Sequence, residues 1–122
     1  MSKAKAFTNS QPLTPPIFYI LLSLATKERH GYDIMKQVEK DSHAKVKLGP
    51  GTLYGAIKRM LEDKLIVELD NSENERRRYY KLTEKGRSIF TNELQRYNEV
   101  VEVAKRNSLL INPIAKLAFT YV

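Results

Sequence analysis

Cysteine and tryptophan are both absent from the 122 residues. Without cysteine there is no disulfide, no thiolate zinc site and no cysteine nucleophile, a composition compatible with a reducing compartment. Without tryptophan, any stacking platform for a flat ligand falls to tyrosine or phenylalanine. Histidine is scarce: His30 and His43 have no acids at helical ligand spacing, so neither a metal site nor a cofactor is expected. Long apolar runs are missing too, the longest (Ile17 to Leu24) being about a third of a bilayer span. The N-terminus lacks the signal-peptide order of basic, apolar and small residues, so a cytoplasmic protein with no membrane partner is expected. The 14 carboxylates are scattered without a pocket-like pair, and no Ser-His-Asp order is arguable, which leaves enzymatic activity unsupported.

Positive charge is what the chain has in excess. The formal net charge is +7, and the 122 residues make one domain's worth of chain. A polyanion is therefore the expected class of partner, since each neutralised phosphate releases counterions. Residues 1–61 carry ten Lys/Arg against four Asp/Glu, a net of +6, whereas residues 62–122 carry eleven against ten. The cluster Arg76-Arg77-Arg78 thus stands out in a nearly balanced half.

Along the chain, residues 1–14 are read as a flexible N-terminal arm. Pro15 and Pro16 suit the first turn of a helix, and Ile17, Ile20, Leu21 and Leu24 form one apolar stripe ending near residues 26–28. Tyr32, Ile34, Met35 and Val38 predict a second helix to about Lys40, with Tyr32 read as a helix-packing residue rather than a DNA contact. The stretch Asp41 to Lys47 is allowed a very short strand. Gly49-Pro50-Gly51 then opens a third helix with Leu53, Ile57, Met60 and Leu61 inward.

Leu65, Val67 and Leu69 alternate as a half-buried strand. Asp70 to Asn74 is turn-rich, and the strand through Tyr79 and Tyr80 returns from it, with Tyr80 assigned to the core and Tyr79 to the outside. Thr83 is the expected N-cap of a last long helix. Its seam is Phe90, Leu94, Tyr97, Val101 and Ala104, at the spacing of a coiled-coil stripe. The tail 108–122 is expected to dock on a dimer, and Ile114 to Val122 to form a short helix.

Three amphipathic helices and a hairpin predict a mainly α fold with a small β-hairpin (α+β): a winged helix-turn-helix over residues 15–83 and a dimerisation helix over 84–107. In that fold the third helix enters the major groove. The residues free to face DNA are Thr52, Tyr54, Lys58 and Arg59, with Arg76, Arg77 and Arg78 on the wing reaching phosphate or a narrow minor groove. The glycines of Gly49-Pro50-Gly51 lack the spacing and the Lys-Ser/Thr ending of a P-loop.

Three ordered motifs carry a family likeness: His30-Gly31-Tyr32-Asp33-Ile34, Gly49-Pro50-Gly51-Thr52-Leu53-Tyr54, and Arg77-Arg78-Tyr79-Tyr80-Lys81-Leu82-Thr83-Glu84-Lys85-Gly86. Together they resemble the signature of PadR-type transcriptional regulators, over about Ile17 to Arg87, in the short form with one long C-terminal helix. The resemblance implies a homodimer that represses promoters by binding a pseudo-palindromic operator in double-stranded DNA. Some short members bind flat aromatic or drug-like ligands between their dimer helices, which makes a small aromatic effector at Tyr97 a further expectation, with Tyr97, Phe90 or Phe18 as the stacking platform. Two rivals are an adaptor that binds a protein partner through its basic face, and a ligand-binding dimer with weak DNA affinity.

Overall fold

The computed structural model describes residues 6–69 and 77–110. Helix α1 (Pro15–Thr26) starts at the two prolines, where a missing N–H sacrifices no intrahelical bond. Strand β1 is only Arg29–His30, and α2 (Gly31–Asp41) follows with His30 as its N-cap. The imidazole Nδ1 accepts from the Asp33 backbone N–H at 3.2 Å, satisfying one donor that a helix start leaves orphaned. Next come α3 (Pro50–Glu62), β2 (Ile66–Leu69), β3 (Tyr79–Leu82) and α4 (Glu84–Arg106). The fold is mainly α with a small antiparallel sheet. That sheet has three strands, in the order β1-β3-β2, because Arg29 and His30 pair with Tyr80 and Tyr79 on the free edge of the wing.

The inward faces of α1, α2 and α3 meet in one core that includes Ile20, Leu21, Ile34, Val38, Leu53 and Met60, all essentially inaccessible. Each such side chain stabilises the fold by about 1.5–3 kcal/mol relative to exposure. Tyr80 joins that core as expected, opposite Glu68 of β2. A buried arginine braces the turn between α1 and α2. Arg29 donates from Nε to the Ser23 carbonyl at 2.7 Å, from Nη2 to Thr26 Oγ1 at 3.0 Å, and from Nη1 to both Asp33 carboxylate oxygens at 3.1 Å.

The joint between wing and last helix is equally tight. Thr83 caps α4, its Oγ1 accepting from the Gly86 N–H at 3.0 Å, and its own N–H donates to the Leu65 carbonyl at 2.9 Å. Gly86 sits so close to that carbonyl that a Cβ would lie 2.0 Å from the Leu65 oxygen.

Four expectations are corrected. The arm is docked over residues 7–13: Phe7 and Leu13 are buried, the Phe7 N–H donates to Asp63 Oδ2 at 2.7 Å, and the Leu13 N–H donates to Glu93. Glu93 is 1% exposed and also accepts from Arg96, whose Nη2 reaches the Gln11 carbonyl at 3.3 Å. No strand forms between Asp41 and Lys47. The chain leaves α2 through His43 and Ala44 at positive φ, and Ser42 Oγ closes the turn by accepting from the Val46 N–H at 2.9 Å. At the start of β2 it is the preceding Leu65 and the first residue Ile66 that are buried, while Val67 faces outward. Tyr32 is 61% exposed, so it is no packing residue.

The turn at Asp70–Asn74, Arg76 and the Ile114–Val122 helix lie outside the described residues. No helix among the described residues is long and apolar enough to cross a membrane.

Candidate nucleic-acid interface

Helix α3 turns Leu53, Ile57 and Met60 inward and leaves Thr52, Tyr54 and Lys58 exposed. Gly51 and Gly55 lie on the same outer side, with nothing within 4 Å of where a Cβ would stand. A helical glycine costs about 1 kcal/mol relative to alanine, and no contact inside the chain requires these two. They leave the helix backbone open to close approach from outside.

Beside this face is a cleft of about 480 Å³, lined by His30, Gly31, Tyr32, Tyr54, Arg77, Arg78 and Tyr80. Each of the three sequence motifs contributes to it: the first turn of α2, one tyrosine of α3, and the wing strand. Tyr54 rests on Gly31, its hydroxyl oxygen 2.5 Å from the position of a Cβ there. His30 meets Tyr79 edge-on across the sheet, with ring centroids 5.4 Å apart.

The electrostatics favour an anion. The N-terminus of α2 carries partial positive charge, and the side chains of Arg77 and Arg78 line the same cleft. Arg78 Nε lies 3.3 Å from Glu68 Oε1, but both side chains are well exposed, and such pairs contribute little. Burial pushes the Tyr80 hydroxyl above its ordinary value, helped by Glu68 and Tyr54 and opposed by Arg78. It stays a neutral hydroxyl in neutral solution. The cleft therefore presents hydroxyl and guanidinium donors, an arrangement suited to holding a phosphodiester.

Of the residues expected to face DNA, Tyr54, Arg77 and Arg78 are brought together in this cleft, Lys58 lies one helical turn beyond Tyr54, and Thr52 is exposed near the start of α3. Arg59 is turned aside: its guanidinium carbon stands 4.0 Å from the centroid of the Phe7 ring, a cation–π contact with the docked N-terminal segment. His30, Gly31 and Tyr32 also line the cleft, although in the sequence they stood out only as part of a family motif at a helix start, with Tyr32 assigned to packing.

The seam of α4 divides in two. Phe90 is buried in the chain's own core, 5.5 Å from the Phe18 ring, which removes it from any surface seam. Tyr97 leans on the same phenylalanine, with ring centroids 4.9 Å apart and the planes tilted by 57°, so Phe18 is covered while Tyr97 stays exposed. Burial raises the Tyr97 hydroxyl above its ordinary value, with Glu93 and Tyr19 adding to the effect and Arg96 opposing it. Beyond it the apolar side chains lack cover: Leu94, Val100 and Val103 are exposed, Val100 by 69%, while Val101 and Ala104 are half-buried.

Comparison with known proteins adds the following. The family model described as the transcriptional regulator PadR-like family matches residues 20–92. A PadR family transcription regulator from Clostridium difficile is similar at 29% identity and a TM-score of 0.63, over 76% of this chain and 97% of that one. A transcriptional regulator from Clostridium thermocellum shares the fold at 23% identity and a TM-score of 0.61, over 74% of this chain and 89% of its own. An uncharacterized protein X of Lysinibacillus sphaericus is 29% identical over 87 residues, 69% of this chain and 79% of that protein.

Proposed function

This chain belongs to the PadR-like family of transcriptional regulators, non-enzymatic DNA-binding proteins, and from that premise we propose that it is a cytoplasmic repressor acting as a homodimer on a pseudo-palindromic operator. Residues 15–83 bind DNA, with α3 in the major groove and Thr52, Tyr54 and Lys58 toward bases and phosphates. Arg77 and Arg78, with Arg76 next to them in sequence, serve the flanking backbone. Residues 84–107 pair the subunits. The observation that carries this reading is the shared cleft, in which a tyrosine of α3, two wing arginines and the first turn of α2 converge on one side of the molecule.

Pairing is supported by the uncovered apolar side chains of α4. Leu94, Tyr97 and Val100 leave a broad apolar stripe uncovered on one side of the helix, and a C2 interface would bury that stripe against the same stripe of a second subunit. A small aromatic effector would enter between the paired helices beside Tyr97. Quenching of tyrosine fluorescence by planar phenols, lost in Tyr97→Ala, is the test of that part.

The main test uses DNA duplexes enriched from a random-sequence pool by the wild-type chain. Two chains per duplex and a two-fold symmetric consensus are the expected result. Val100→Lys should yield a monomer in sedimentation and lose most operator affinity. Failure to enrich any sequence would favour the adaptor that binds protein through its basic face.

A further inference from the structure

We propose that Gly31 is a positioning residue for DNA binding: its missing Cβ seats the Tyr54 hydroxyl on the first turn of α2 and holds that tyrosine as one wall of the cleft. The inference deepens the reading above and rests on it. An added Cβ at Gly31 would lie 2.5 Å from Tyr54 Oη, 2.9 Å from Cζ and 3.1 Å from Cε1. Backbone shape does not ask for glycine there, since no glycine among the described residues has positive φ. What asks for glycine is the ring above it, which buries Gly31 while Tyr54 itself stays 51% exposed.

The consequence lies in preorganisation. A half-exposed tyrosine on a helix surface is free to change rotamer, and fixing it on binding costs conformational entropy. Seated on Gly31, Tyr54 is held from outside its own helix. Its hydroxyl stands by the positive end of α2, in the same cleft as Arg77 and Arg78. A phosphate oxygen entering that space meets a hydroxyl donor already in position, along with two guanidinium groups.

The α2 start cannot easily yield, because Arg29 ties Asp33 to α1. The tyrosine tip can. Alanine at position 31 therefore displaces the ring and leaves the fold standing. The contrast is Gly86, where the atom facing an added Cβ is a backbone carbonyl oxygen.

The test is a double-mutant cycle on the duplex enriched by the wild-type chain, measured at several salt concentrations, with thermal melting of each variant. Gly31→Ala should weaken binding by about tenfold or more, the range of a hydrogen bond to a charged group. Its melting point should shift by only a few degrees, and its salt slope should stay at the wild-type value because no cation is lost. Tyr54→Ala should weaken binding at least as much, and Gly31→Ala added to Tyr54→Ala should cost nothing further. Unchanged affinity in Gly31→Ala overturns the proposal, as does an unfolded Gly31→Ala. An equal loss in the presence and absence of Tyr54 also overturns it, since the new methyl would then act directly on DNA or on α2. A wild-type chain that enriches no duplex overturns the DNA reading itself, and this inference with it.

Discussion

Lys58 and Arg59 are adjacent cations on α3, so removing either lowers the net charge by one, and any difference between the two isolates geometry from charge. Lys58 is exposed on the outer face. Arg59 stands 4.0 Å over the Phe7 ring, in a segment pinned to Asp63 at 2.7 Å. Each phosphate contact contributes about 0.9 to the slope of log affinity against log salt. Lys58→Ala is expected to lower that slope by about 0.9, which over a fourfold change in salt amounts to about 3.5-fold in affinity. Arg59→Ala is expected to leave the slope unchanged and to destabilise the fold, by about 1 kcal/mol for a half-buried cation–π contact. That corresponds to a melting-point drop of roughly 4 °C. Fluorescence anisotropy of a labelled operator across a salt series gives the slopes, and calorimetry gives the melting points. Equal reductions of slope in the two variants would refute the assignment of Arg59 to the N-terminal segment.

Two further outcomes follow from packing and titration. Gly86→Ala forces a methyl into the Leu65 carbonyl, with backbone on both sides of the clash, and should destabilise the chain by about 3 kcal/mol, seen as a melting point lower by roughly 10 °C. Tyr80 has a folded-state value raised above 10.0, chiefly by burial. Its contribution is fully present below the unfolded value near pH 10 and is lost as pH rises through the raised folded value, because there the unfolded chain binds fewer protons than the native one. Tyr80→Phe should therefore flatten the alkaline loss of stability in urea melts at increasing pH; an unchanged alkaline slope would exclude this residue as its cause.

Local chemistry made most of the helical frame legible. Pro15 and Pro16 start α1 where proline is tolerated, Thr83 caps α4, and the stripes of α1 to α3 turn inward apart from Tyr32. The features that escaped are set by distant partners. β1 is two residues long, too short for any periodicity, and exists because Tyr79 and Tyr80 offer it an edge. Phe90 fits the heptad of a dimer seam equally well whether Phe18 or a second subunit covers it, and only the return of α4 across α1 decides for Phe18. Buried Glu93 looks like one more surface acid in a charged helix until Leu13 and Arg96 converge on it. In the cleft, Tyr54 and the wing arginines were readable as exposed polar positions, whereas Gly31 gains meaning only from the ring that lies on it.

Helix α4 runs without a break from the winged domain to its exposed apolar end. Its first turns are embedded in the winged domain through Gly86, Ile89, Phe90 and Glu93, and the same 23-residue rod continues outward to Arg106. Such a rod is about 35 Å long, so tilting it by about 10° about one end sweeps the other through about 6 Å. The rise between successive base pairs is about 3.4 Å. If two such rods pair, a small change in how they cross is thus geared up into a displacement of nearly two base pairs at the far end.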